Sequence, residues 1–300
     1  MGDRPAVAAP DLADFRRRLF GGRDGVALFV LAAAAFAFWP TLARLYSKWV
    51  DDPQYSHGLL VPLFSVGLLW AKRDRFPAQV RPAPLAGLVL LGLAIAMRVL
   101  GGVIYFGWLE AFSLLPFLAG LLLTFGGFGV LKWAGPAVAF LFFMIPMPYR
   151  VEIQLGAPLQ RVATIASTYV LQTLGQPALA DGNMIRMKDV ELQIVEACSG
   201  LRMLVTFITF STAVCIVVKK PVSDKLLILL SAIPIALVVN ITRIVITGWM
   251  YLHVNGHMAH VFFHDLAGWF MMPMALGLLW VELWVLSKLF TQLPTRAAAR

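Results

Sequence analysis

Apolar runs of 14 to 26 residues, closed again and again by Lys or Arg, dominate the chain. They fall at 26–45, 58–71, 85–104, 108–127, 131–147, 199–218, 225–250 and 265–289. About 20 apolar residues of helix cross a hydrocarbon core about 30 Å thick. Runs this numerous and this apolar cannot share one water-soluble core. The pattern predicts an all-α integral membrane protein with about eight transmembrane helices.

The basic residues between the runs set the orientation. Arg16, Arg17, Arg18 and Arg23 precede the first run, Lys72, Arg73 and Arg75 follow the second, and Lys132 follows the fourth. Lys219, Lys220 and Lys225 follow the sixth, and Lys288, Arg296 and Arg300 close the chain. With alternating spans every cluster lands on one side, which the positive-inside rule makes cytoplasmic. The expected organisation is a cytoplasmic tail over 1–25, a single polytopic membrane domain over 26–290 and a cytoplasmic tail over 291–300. Outer loops fall at 46–57, 105–107, 148–198 and 251–264.

One segment breaks the pattern. Val151, Leu155, Leu159, Val162, Ile165 and Tyr169 recur at a helical period, with Gln154, Gln160, Arg161 and Thr164 between them. That spacing predicts an amphipathic helix at the membrane interface. A crossing there would move Lys219 and Lys220 outside, against the charge rule. Beyond it an Asp-Gly turn at 181–182 precedes the alternating sets Ile185/Met187 and Val190/Leu192/Ile194, which predict a short hairpin. Residues 148–198 thus form one extracytoplasmic insertion, a hairpin with an amphipathic helix. No internal repeat or low-complexity stretch stands out.

Composition narrows the class. The chain is 60% hydrophobic and 14% charged, against about 25% charged in soluble domains. The net charge of +9 follows from the cytoplasmic loops and calls for no nucleic-acid partner; the lipid bilayer is the partner it implies. The N-terminus has arginines but no cleavage site after a short apolar segment, so it reads as a retained tail. Its Met-Gly start lacks Ser or Thr at position 6 and does not read as a myristoylation signal. Cys198 and Cys215 are the two cysteines, and roughly 25 Å of helix between them makes a disulfide unexpected.

Three reactive groups reach one depth from three spans. Cys198, in "EACSG" at 196–200, stands at the outer end of the sixth span, where Ser199 and Gly200 suit a helix cap. Helix N-termini and nearby cations lower a thiol's pKa, and the thiolate is the nucleophile; a small packing cysteine is the alternative. Cys215, among Val and Ile in mid-span, reads as packing. Arg243 lies 17 residues beyond Leu226, about 26 Å up the helix and therefore near the outer edge of the core. An intramembrane arginine marks a site or a paired charge, or snorkels to the headgroups; Asn240 shares its face one turn away. His264, with Asp265, opens the eighth span from outside. A histidine near a thiol serves as general base or acid, and an arginine can hold a thiolate or an oxyanion.

These residues resemble the exosortase/archaeosortase family of membrane transpeptidases. The matching stretches are "YSHGLLVP" at 55–62, "FFMIPMP" at 142–148, "EACSGLR" at 196–202, "NITRI" at 240–244 and "HDLAGW" at 264–269. The resemblance implies Cys198 as nucleophile, with Arg243 and His264 completing the site; the histidine matches the bacterial branch. It implies substrates that carry a C-terminal sorting signal of three parts, a Pro-Glu-Pro-like motif, an apolar span and a basic tail. It also implies thiolate attack, a thioacyl enzyme and transfer to an unidentified acceptor nucleophile, at the outer face of a bacterial inner membrane. No metal or organic cofactor is called for. Some members carry an added soluble domain after the last span; this chain stops at Arg300, which leaves the signal variant open. His57 could contact substrate, or Tyr55 to Gly58 could be a turn and cap. Glu196 and Arg202 read as a structural pair.

Two other functions fit parts of the sequence. His253, His257, His260 and His264 recur at i, i+4, i+7 and i+11, a spacing that could ligate a metal in a membrane hydrolase or oxidase. Asn255 and Gly256 interrupt that helix, carboxylate co-ligands are few, and Cys198 and Arg243 would have no role. A transporter or polysaccharide-export component would use Arg243 in a pathway but leaves the cysteine cap unexplained.

Overall fold

The computed structural model describes residues 24–188, 190–194, 200–218 and 220–253, together with 274, 277, 278, 280, 281 and 284. It is mostly helical. Its elements run α1 (Asp24–Asp51), α2 (Leu60–Ala71), α3 (Pro84–Val103), α4 (Gly107–Phe112), α5 (Leu114–Phe140) and α6 (Tyr149–Thr173). Strands β1 (Ala178–Asp181), β2 (Met184–Met187) and β3 (Val190–Gln193) follow, then α7 (Leu201–Val217) and α8 (Val222–His253). The chain divides into two compact units at Pro148/Tyr149.

Three stretches among the described residues are long and apolar enough to cross a membrane: Pro84–Val103, Gly107–Met144 and Val222–His253; Leu201–Val217 is apolar but shorter. On α3, Leu85, Leu88, Val89, Leu93, Val99 and Val103 are all exposed. Such a surface suits hydrocarbon and not water. The expected last span, 265–289, lies almost wholly outside the described residues.

In the first unit the run at 58–71 divides in two. Asp52 accepts a hydrogen bond from the Gln54 amide at 2.9 Å, Pro53 follows it, and Pro53–Leu59 winds as a 3-10 helix before α2 begins. That leaves α2 with 12 residues, about 18 Å of helix. The runs at 108–127 and 131–147 also look different in three dimensions. Helical structure is continuous through α5, but Gly127 breaks it with φ 73 and ψ −171.

Each arm of α5 has its own partner. The first packs against α3 with almost no side chain between the backbones: a Cβ on Gly87 would lie 2.1 Å from Thr124 Oγ1 and 2.8 Å from the Gly120 carbonyl. Small residues at such contacts let membrane helices approach closely. The second arm packs on α2, where Ser65 Oγ donates to the Ala137 carbonyl at 3.1 Å and the Phe64 and Phe140 rings lie 4.6 Å apart. Arg98 joins α3 to α1. Its guanidinium donates to Thr41 Oγ1 at 3.0 Å and to the Ala37 carbonyl, over the Phe38 ring.

In the second unit α7 and α8 run antiparallel. Met203 and Phe207 pack with Ala232, Ala236 and Val239, and Cys215 Sγ donates to the Lys225 carbonyl at 3.4 Å. At 32 residues α8 is about 48 Å long, well beyond a 30 Å core. Its far half leaves α7 behind and packs on α6 and the strands, where Ala163, Leu171, Ile185, Met187, Leu192, Ile194, Ile244 and Val245 form one buried cluster.

The strands form an antiparallel sheet in the order β1-β2-β3. The expected hairpin is its β2–β3 half. The Asp-Gly turn opens it differently, because Asp181 pairs with Met184 and Gly182, at φ 60, turns β1 into β2. The sequence Ala-Leu-Ala-Asp of β1 has almost no alternation to announce a strand.

Helix α6 forms as the periodicity predicts, with its faces reversed relative to a soluble amphipathic helix. Val151, Leu155, Val162, Ile165 and Tyr169 are exposed, while Gly156, Ala163, Thr164, Ser167 and Thr168 are buried. The apolar stripe looks outward and the small, hydroxyl-bearing stripe looks in.

Candidate functional site

The described part of the site is built around the start of α7. Gly200 precedes Leu201 in the left-handed conformation, φ 74 and ψ −18, which glycine adopts without penalty. The Leu204 amide donates to the Gly200 carbonyl at 2.8 Å, the first bond of α7. Against Gly200 stands α8: a Cβ on Gly200 would lie 3.3 Å from Asn240 Nδ2 and 3.7 Å from Asn240 Cγ. Asn240 is 1% exposed, Arg243 4% and Thr247 fully buried. At i, i+3 and i+7 these three share one face of α8. Arg243 therefore lies one helical turn beyond the residue that touches the N-terminus of α7, where unpaired amides carry partial positive charge.

Of the three residues singled out in the sequence, Arg243 is described. Cys198 and His264 lie outside the described residues, and so does Glu196, the expected partner of Arg202. The Gly200–Asn240 contact ties the start of α7 to the "NITRI" stretch of α8.

In the first unit, Tyr55 to Gly58 lie within the 3-10 turn capped by Asp52, and both Tyr55 and His57 are buried. Trp49 holds that turn against the "FFMIPMP" stretch: its indole donates to the Met144 carbonyl at 2.8 Å. A Cβ on Gly58 would fall 2.4 Å from the Trp49 ring, so glycine is required under the indole. Of the four spaced histidines, His253 is described. Its Nδ1 is 3.0 Å from the Trp249 carbonyl and its ring stacks on Trp249. Among the described residues no group of three His, Cys, Asp or Glu side chains could hold a metal ion.

Two buried hydroxyls of the second unit, Thr247 one turn beyond Arg243 on α8 and Ser167 on α6, carried no signal in the sequence. Thr164, Thr168, Thr209 and Thr242 donate back to the carbonyl four residues earlier, the usual way a helical threonine is satisfied. Thr247 Oγ1 does not, and neither it nor Ser167 Oγ has a hydrogen-bond partner among the described residues. Ser167 falls between Ala163 and Leu171 on the stripe of α6 that faces the shared cluster. An unsatisfied buried hydroxyl costs about 1–3 kcal/mol. Thr247→Val, which keeps the shape, should therefore leave the unfolding midpoint in detergent unchanged or raise stability by about 1 kcal/mol. A clear loss of thermal stability would mean that the hydroxyl is bonded in the folded membrane protein.

The family described as transmembrane exosortase matches residues 49–281 of the chain. The chain belongs to the transmembrane exosortase family. The matched region extends into both compact units and takes in all five stretches quoted above, from "YSHGLLVP" to "HDLAGW". No curated protein and no solved structure matches the chain. Within an exosortase frame, the contact between Gly200 and Asn240 joins two of those stretches, and the Trp49 indole joins two others.

Proposed function

We propose that this exosortase is a membrane-embedded cysteine transpeptidase. It cleaves the C-terminal three-part sorting signal of exported proteins on the extracytoplasmic side and passes the product to an acceptor nucleophile. The Cys198 thiolate attacks the scissile carbonyl and the oxyanion collapses to a thioester as the amine leaves with a proton. The acceptor then attacks the thioester and regenerates the thiol. Arg243 balances the charge on the thiolate or the oxyanion, and His264 moves the proton. No metal or organic cofactor enters these steps.

Around the site we place about eight spans, both termini in the cytoplasm and the 148–198 insertion outside, in the inner membrane of a bacterium. The basic tail of a substrate would remain inside by the same charge rule, with its motif at the outer surface.

The single observation that carries this proposal is the seat of Gly200 on Asn240, one turn from buried Arg243. It brings the segment that follows Cys198 to the one described guanidinium in the core of the second unit. The test is to trap the intermediate. Membranes containing the full chain, mixed with a reporter ending in a Pro-Glu-Pro-like motif, an apolar span and a basic tail, should yield a hydroxylamine-labile adduct on Cys198 by mass spectrometry. In Arg243→Lys, which keeps the charge but loses the planar fork, the adduct should form at least tenfold more slowly. Cleavage that continues with Cys198 alkylated and stops with a chelator would replace this mechanism with a metal-dependent one.

A further inference from the structure

We propose that Asn240 is a positioning residue for the nucleophile: its carboxamide seats the left-handed Gly200 turn from which α7 starts, two residues after Cys198 in the chain. The proposal rests on the role of Cys198 given above.

Asn240 is 1% exposed on a helix whose inward neighbours in the same packing layer, Ala232, Ala236 and Val239, are apolar. A buried carboxamide in an apolar helix contact is costly unless its polar atoms are used, and leucine would fill the same volume without that cost. What Asn240 touches is the cap of α7. Its Nδ2 lies 3.3 Å from the position a Gly200 Cβ would take, so the absence of a side chain on one helix and the carboxamide on the other fit together. Gly200 at φ 74 is the pivot at which the chain enters α7, and the donor nitrogen of the carboxamide is the part of Asn240 nearest that turn.

Asn240 also stands three residues before Arg243 on the same helical face, a rise of about 4.5 Å. One rigid helix therefore carries both the seat of the turn and the guanidinium. The spacing between the Gly200 turn and the cation is then set by α8. Misplacement of reacting groups by about 1 Å can cost on the order of a hundredfold in rate. Loss of the seat should appear in turnover and leave substrate affinity alone, because Asn240 acts through the turn.

The experiment uses the full chain in membranes and the three-part-tailed reporter, with rates normalised to inserted protein. Asn240→Leu keeps volume and favours insertion; it should lower kcat at least tenfold with KM within twofold of wild type. Gly200→Ala should do the same. The double variant should be no slower than the slower single, since both changes disturb one contact. Wild-type kcat in Asn240→Leu, a change confined to KM, or independent losses that multiply in the double variant would each overturn the proposal. Cys198→Ala is run in parallel. If it still cleaves, the nucleophile assignment itself has failed; if it is inactive while Asn240→Leu is not, only the role of Asn240 is lost.

Discussion

Cys198→Ala should insert and accumulate like the wild type and leave the three-part-tailed reporter uncut. The expected loss is the whole catalysed rate, because alanine offers no lone pair to attack a carbonyl and no leaving group for the second step. Removal of a nucleophile typically costs 10⁴-fold or more even where the remaining site still binds substrate. Serine is the informative companion: Cys198→Ser restores an oxygen nucleophile, but a hydroxyl without a strong base is far less ionised than a thiol near a helix N-terminus. It should be nearly as inactive as alanine. The measurement is the disappearance of full-length reporter on a gel, with insertion checked by protease protection. Processing retained in Cys198→Ala would remove the cysteine mechanism.

The second large effect concerns folding. Gly127→Ala should fail to accumulate as a folded protein, or lose on the order of 3 kcal/mol or more. Two costs combine. At φ 73 and ψ −171 the backbone lies in a region that only glycine populates freely. A Cβ there would also fall 1.7 Å from the Arg81 carbonyl oxygen, a backbone atom held near α5 by the Ala83 amide bond to the Leu123 carbonyl. No side-chain rotation relieves that overlap. Gly92→Ala on α3 is the control, since nothing lies within 4 Å of its Cβ position, and there alanine should be neutral or gain helix propensity. Yield and unfolding midpoint in detergent separate the two. An intact Gly127→Ala protein would mean that the break in α5 is not required.

The membrane class was legible because hydrocarbon imposes a simple rule on side chains, and the exposed leucines and valines of α3 obey it. The helical period of α6 was equally plain, but periodicity says that a helix has two faces and not which of them meets protein. In water the apolar stripe of α6 would be its inner face. Here Gly156, Ala163 and Ser167 are inside, since close approach between helices rewards small residues when lipid can solvate the large ones. Strand β1 stayed hidden because Ala178–Asp181 draws its pairing from β2 and not from its own pattern. The pattern separated the runs at 108–127 and 131–147, whereas helix continues on both sides of the break at Gly127.

The site was legible in part. Arg243 betrayed itself by being charged among apolar neighbours, and its burial follows. Thr247 and Ser167 gave no such signal, because hydroxyls on membrane helices are common and usually bond to their own backbone. What distinguishes them is orientation, which a sequence does not encode locally. Asn240 was visible as a neighbour of Arg243, but the glycine it meets lies 40 positions earlier, a pairing that only the α7–α8 contact makes.

The outward oily stripe of α6 has a practical consequence for anyone purifying the protein. Solubilisation must supply a belt of amphiphile for this helix as well as for the long spans, so short-chain or sparse micelles should strip α6 first and loosen the cluster it shares with Ile244 and Val245. Activity would then fade before the secondary structure does, and reconstitution into nanodiscs should restore it.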